Sequence, residues 1–113
     1  MSEFLYRYKA NVIGVHDGDT IRCDIDLGFG TWIKNQTIRL AGIDAPEIRG
    51  EERENGLKAR DWLREQILWQ EVEIKTSKDR RGKYGRWLAD IYFDDENINW
   101  KMVELGFGEI YKP

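Results

Sequence analysis

Cys23 is the only cysteine and His16 the only histidine in 113 residues. One thiol cannot form an internal disulfide, and one Cys with one His cannot build the usual Cys/His zinc sites. Mechanisms that need two histidines are excluded as well. A serine–histidine–aspartate triad would have to join His16 to Ser2 or Ser77, and neither serine has a nucleophile's surroundings. Chemistry in this chain must rest on carboxylates, arginines, lysines, tyrosines and a metal. No stretch approaches the ~20 apolar residues of a membrane span. The opening from Met1 to Arg7 has no apolar signal-peptide core. The expectation is therefore a cytoplasmic protein, with a phage or plasmid setting left open.

What is present fits one domain, residues 1–113, large enough to bury roughly two-thirds of its unfolded surface. Hydrophobic residues make up 41% and charged residues 35%, a balance that argues against disorder. The net charge of -3 does not by itself point to a nucleic-acid partner. The distribution says more. Lys75, Lys78, Arg80, Arg81, Lys83 and Arg86 stand against the single acid Asp79, whereas Glu47, Glu51, Glu52 and Glu54 outnumber Arg49 and Arg53. A basic stretch on an acidic chain suits a local anion site, although most charge runs are solvated surface.

Residues 5–15 read as a first strand with Val12, Ile13 and Val15 at its centre, running into the turn His16-Asp17-Gly18-Asp19-Thr20. From Thr20 to Asp26, Ile21, Cys23 and Ile25 alternate with Arg22, Asp24 and Asp26, the period of a half-buried strand. A third strand is expected over 31–43. A helix should begin near Glu51 and end about Trp69 or Gln70, with Ala59, Trp62, Leu63, Gln66 and Ile67 on one face. Val72–Thr76 and Arg86–Phe93 read as the fourth and fifth strands, with a turn at 94–97. Asn99 is the expected N-cap of a short helix from Trp100 to Leu105, closed by Gly106. The last residues give no structural signal. The pattern is mainly β with two or three helices (α+β): a five-stranded OB-fold β-barrel with a helix between strands 3 and 4 and a short C-terminal helix.

One stretch concentrates the chemistry. Ile38-Arg39-Leu40-Ala41-Gly42-Ile43-Asp44-Ala45-Pro46-Glu47 places an arginine inside a strand, a carboxylate at its tip and another three residues on, beyond a proline that stops the ladder. An arginine's planar fork suits a phosphate, and two carboxylates suit a hard cation and a proton acceptor. Asp17-Gly18-Asp19-Thr20 resembles the opening of an EF-hand loop, but position five is Ile21 and position twelve is Gly28, so it is a turn or half of another metal site. Were the second and third strands paired, Asp19 and Asp44 would meet at one rim. Lys83-Tyr84-Gly85-Arg86 offers a second arginine to complete a two-arginine phosphate clamp. His16 reads as structural or a bystander.

Asp17-Gly18-Asp19-Thr20, the segment Arg39 to Glu47, and Asp79 through Lys83-Tyr84-Gly85-Arg86 together resemble the staphylococcal nuclease (thermonuclease) family in order and spacing. The likeness continues through Asn99-Trp100 and Gly106 to Tyr111-Lys112-Pro113, so it covers nearly the whole chain. It implies a Ca²⁺-dependent phosphodiesterase acting on DNA and/or RNA, on single-stranded or frayed substrate, with little sequence preference and 3′-phosphate products. No membrane and no obligate protein partner are implied. By the same likeness Asp19 and Asp44 are metal carboxylates, the Ala45 carbonyl is a third ligand, and Arg39 and Arg86 clamp the phosphate. Glu47 orients or deprotonates the attacking water, and Lys83 and Tyr84 contact a neighbouring phosphate. Glutamates are weak bases at neutral pH, so proton acceptance and water positioning both stay open for Glu47.

The chain departs from the family in several places. Ala45 replaces a common threonine, the loop after Glu47 is short and acidic instead of long and lysine-rich, and Trp87 stands where glycine is frequent. The tail is shortened, with no clear counterpart of a base-stacking tyrosine. The competing function is a non-catalytic OB-fold nucleic-acid-binding module. Such a member is expected to have lost some of Asp19, Arg39, Asp44, Glu47 and Arg86, and all five are here.

Overall fold

The computed structural model describes residues 5–81 and 86–111, with side chains described over that range except at 78–81. The elements run β1 (Arg7–Asp17), β2 (Thr20–Gly28), β3 (Thr31–Leu40), β4 (Ile43–Asp44), α1 (Arg53–Ile67), β5 (Glu71–Arg81), β6 (Trp87–Phe93), β7 (Glu96–Asn97), α2 (Ile98–Glu104) and β8 (Glu109–Ile110). A single turn of 3₁₀-helix, Gly50–Glu52, precedes α1.

The sheet order is β3-β2-β1-β5-β6-β7, and a parallel pairing of β3 with β6 closes the first five of these strands into a barrel, with β7 paired to β6 outside it. The remaining barrel pairings are antiparallel. Alternation dictates what fills the barrel. Ile21, Cys23 and Ile25 of β2 are buried together with Val12 and Val15 of β1, Ile38 and Leu40 of β3, Val72 and Ile74 of β5, and Ala89 and Ile91 of β6. The architecture is the expected α+β OB-fold barrel, with its long helix between the third and fourth barrel strands, β3 and β5.

Helix α1 plugs one end of the barrel. Gly56, Ala59, Leu63 and Ile67 recur at spacings of three and four and are buried, which is the amphipathic pattern of a helix lying on a core. Trp62, on the rim of that face, stacks on Phe107 at 5.5 Å between ring centroids. The helix starts and stops inside the expected limits. The 3₁₀ turn leads into it, and Leu68 turns extended so that Trp69 can donate its N–H to the Val12 carbonyl and the Gln70 carbonyl can accept from the Val12 N–H, which hands the chain to β5.

Three expectations need correction. The third strand stops at Leu40, not residue 43, because Ala41-Gly42 forms a turn in which Gly42 takes a φ of +76°. Ile43–Asp44 then pairs instead with Glu109–Ile110, giving the tail a structural role that its sequence does not announce. The short second helix is capped by Asn97, whose Oδ1 accepts from the Trp100 N–H at 3.0 Å. Asn99, expected as the cap, is buried inside the helix. Its Nδ2 donates to the carbonyls of Ala41 (2.9 Å) and Ala89 (3.1 Å), and its Oδ1 accepts from the Ile91 N–H (3.1 Å).

Candidate active site

The β2–β3 register sets Thr20 opposite Arg39. Asp19, just before β2, is thereby drawn to the end of β3, and the Leu40 N–H donates to its carbonyl at 2.8 Å. The carboxylate of Asp19 is fixed on two sides. Its Oδ1 accepts from the Thr20 hydroxyl at 3.2 Å, and its Oδ2 accepts from the Ala45 N–H at 2.9 Å. Gly18 makes this possible: a Cβ there would lie 2.8 Å from the Ala45 Cβ and 2.9 Å from the Ala59 Cβ, so only glycine lets the Asp-Gly-Asp turn press against both.

Arg39 bridges the two aspartates expected to meet at the rim. Nη1 lies 3.5 Å from Asp19 Oδ2 and Nη2 lies 3.3 Å from Asp44 Oδ1. The guanidinium is largely shielded, whereas the Asp44 side chain is 61% exposed and open to incoming groups. The Tyr111 ring covers Arg39 at 5.7 Å, held there by the β4–β8 pairing and by the Tyr111 N–H donating to the Gly42 carbonyl at 2.8 Å. Nothing in the tail's sequence assigns it this role. Its only signal is an aromatic placed two residues from the end.

Asp19, Arg39, Asp44, Glu47 and Arg86 all line one cleft of about 620 Å³, together with His16, Asp17, Thr20, Arg22 and Thr37. Five residues spread over 68 positions of sequence, from 19 to 86, are thus brought to one surface depression. Ala45 is not on this wall. It lines a neighbouring depression together with Asp44, and its N–H donates to Asp19 Oδ2. Lys83 and Tyr84 lie outside the described residues.

Sequence reasoning assigns Asp17 no role of its own within the Asp-Gly-Asp turn and reads His16 as structural or a bystander, yet both are on the cleft wall. Asp17 Oδ1 accepts from the Asp19 N–H at 3.1 Å. Burial first, and then the hydrogen bond and charge of Asp19, push the Asp17 carboxyl up to about 6. The wall thus combines crowded carboxylates with arginines.

Among the described residues, no three Asp, Glu, His or Cys side chains converge as a ready-made metal cage. The donors present are hard oxygens. Asp19 and Asp44 flank one guanidinium, and Asp44 has an open side chain. Two carboxylates fit part of the shell of a hard cation such as Ca²⁺, and waters or a substrate oxygen must supply the rest.

The family model described as staphylococcal nuclease homologue matches residues 37–113. The chain is 32% identical over 107 residues to a thermonuclease of Staphylococcus hyicus, an overlap covering 90% of this chain and 60% of that protein. It is 36% identical over 102 residues to an uncharacterized endonuclease of Haemophilus influenzae, covering 89% of this chain and 51% of that one. A thermonuclease of Staphylococcus intermedius is 30% identical over 104 residues, covering 88% and 58%. The chain therefore spans between 51% and 60% of the length of these relatives. With the barrel, the order of the motifs and the family match in agreement, this chain belongs to the staphylococcal nuclease homologue family.

Proposed function

We propose that this chain is a Ca²⁺-dependent phosphodiesterase that hydrolyses DNA and/or RNA with little sequence specificity and leaves 3′-phosphate ends. The observation that carries the reading is the single cleft shared by Arg39, Arg86, Asp19, Asp44 and Glu47. Relatives named thermonuclease and endonuclease support it.

Each residue has work that its chemistry suits. Arg39 and Arg86 offer planar forks of charged donors and stabilise negative charge on the phosphoryl oxygens. Arg39 is pre-oriented by two carboxylates and a tyrosine ring, so little reorganisation is needed when a phosphate arrives. Glu47 faces the same cleft and holds the attacking water, taking its proton as the new P–O bond forms. The bond from phosphorus to the 5′-oxygen breaks, and that oxygen takes a proton from solvent. Asp19 and Asp44 are the residues that would hold Ca²⁺, which supplies charge stabilisation and a more acidic water when bound. Lys83 and Tyr84 are assigned to a neighbouring phosphate by family likeness.

The test is cleavage of single-stranded DNA and RNA with Ca²⁺ and with EDTA, followed by end-group assay of the products. Metal-dependent cutting with 3′-phosphate ends supports the reading. A chain that binds the strand and never cuts it is a binding module instead.

A further inference from the structure

Beside the catalytic cleft lies a second depression of about 450 Å³, walled by Gly14, Val15, His16, Arg22, Ile48, Arg60 and Arg64. It shares His16 and Arg22 with the catalytic cleft, so the two are neighbouring parts of one surface. Its composition differs sharply. Among the described residues, the catalytic cleft carries Asp17, Asp19, Asp44 and Glu47 against three arginines, whereas three arginines and no carboxylate line the second.

The arginines come from different elements, Arg22 from β2 and Arg60 and Arg64 from successive turns of α1. At a spacing of four, the last two stand on one side of the helix. Arg64 Nε donates to the Val15 carbonyl at 3.2 Å, which anchors the side chain across β1. Arg22 Nη1 donates to Asn35 Oδ1 at 3.0 Å. Gly14 allows its path, since a Cβ there would meet the Arg22 guanidinium at 3.0 Å. Both side chains are thus oriented by neutral oxygens, and among the described residues neither forms an ion pair. Arg60 is different: Asp61 Oδ1 accepts from its Nε at 3.1 Å and lies 3.0 Å from its Nη2, although the Asp61 side chain is 62% exposed, where an ion pair contributes little. His16 is placed 4.0 Å from Asp17 Oδ2.

We propose that this arginine-walled depression is a second phosphate subsite, which grips the polynucleotide backbone where the strand leaves the catalytic cleft past His16 and Arg22. The ligand is a phosphodiester oxygen, recognised by charge and by guanidinium donors without reference to base identity. The subsite gives this chain a strand grip from α1 where its loop after Glu47 is short and acidic. The inference rests on the polynucleotide reading of the main cleft, but its test reads binding and does not need turnover.

The experiment measures binding of a fluorescein-labelled oligothymidylate of about a dozen nucleotides in EDTA, as a function of salt, with the unlabelled dinucleotide as competitor. For single strands the salt slope falls by about 0.7 for each phosphate that the protein ceases to neutralise. Arg64→Gln is expected to weaken the long strand and lower its slope by about 0.7, and Arg60→Gln/Arg64→Gln by about twice that. Dinucleotide affinity should be unchanged in both. Arg64→Lys keeps the charge and should retain most of the slope. Arg53→Gln, on the same helix outside the depression, controls for a general loss of positive field. Equal slopes in wild type and the double variant would overturn the proposal, as would an equal loss in Arg53→Gln or a parallel loss of dinucleotide binding. If the wild type cuts nothing yet the slope falls as stated, the catalytic reading fails and the subsite stands.

Discussion

Gly56 of α1 rests directly on the backbone of Glu47: a Cβ at position 56 would lie 2.1 Å from the Glu47 carbonyl oxygen and 2.5 Å from its carbon. The helix that plugs the barrel is therefore also the shelf beneath the carboxylate assigned to the attacking water. Backbone cannot swing aside as a flexible side chain can. Gly56→Ala gains about 1 kcal/mol of helix propensity, but overpacking of this kind costs about 1–3 kcal/mol. A lower unfolding midpoint in denaturant is expected. Displacement of Glu47 should lower kcat more than it weakens oligonucleotide binding. A Gly56→Ala protein with wild-type midpoint and wild-type kcat would show that Glu47 does not depend on this contact.

Asn99 ties separate stretches of backbone together from inside α2. Its amide serves the carbonyls of Ala41 and Ala89 and the N–H of Ile91, and the residue is 3% exposed. Truncation strands buried polar groups, each costing about 1–3 kcal/mol. Asn99→Ala should be among the most destabilising single changes in the chain, and Asn99→Asp should not rescue it, because a carboxylate has no donor for the two carbonyls. Equilibrium denaturation of the two variants is the check, and a loss below about 1 kcal/mol would contradict the assigned network.

Cys23 is fully buried in the barrel, where burial and then the nearby Asp24 charge push its thiol up to about 12. The thiolate is the reactive form. The native protein should therefore react negligibly with a disulfide reagent at mildly alkaline pH and stoichiometrically once unfolded in denaturant. Rapid native labelling would mean that the barrel opens far more readily than its packing indicates.

Metal binding should be visible as stability. A ligand that binds only the folded chain adds about 2.7 kcal/mol at about a hundred times its dissociation constant. Ca²⁺ is expected to raise the thermal midpoint of the wild type and to do so much less in Asp44→Asn. That side chain is mostly exposed, so the substitution should fold normally without metal. An identical Ca²⁺ response in both proteins would remove Asp44 from the metal site.

Much of the barrel is legible in the sequence because its signals are local. Ile21, Cys23 and Ile25 alternate within one strand, and Ala59, Leu63 and Ile67 keep helical spacing, so each element declares its buried face. The meeting of Asp19 and Asp44 is legible only in part: the β2–β3 pairing draws Asp19 to the end of β3, but Asp44 lies beyond that strand, on β4, and reaches Asp19 through Arg39 and the Ala45 N–H. What stays hidden depends on tertiary partners. Ile43–Asp44 and Glu109–Ile110 are two-residue strands, stable only because each has the other. Asn97 and Asn99 are equally good caps by type, and burial alone sends Asn99 inward. The arginine-walled depression joins β2 to α1 across about forty positions, from Arg22 to Arg60 and Arg64, a meeting that no local period encodes.

The most direct measurement is the rate of Ca²⁺-dependent cleavage of single-stranded DNA by the wild type, Glu47→Ala and Arg86→Ala, with strand binding measured in parallel. Removing a donor aimed at developing charge costs on the order of 10²–10³ in rate. The expected result is metal-dependent cutting by the wild type that falls by about that factor in Arg86→Ala and collapses in Glu47→Ala, while both variants still bind the strand. Undiminished cleavage in either variant, or cleavage by the wild type that is indifferent to EDTA, would contradict the assignment of this cleft as a calcium-dependent phosphodiesterase site.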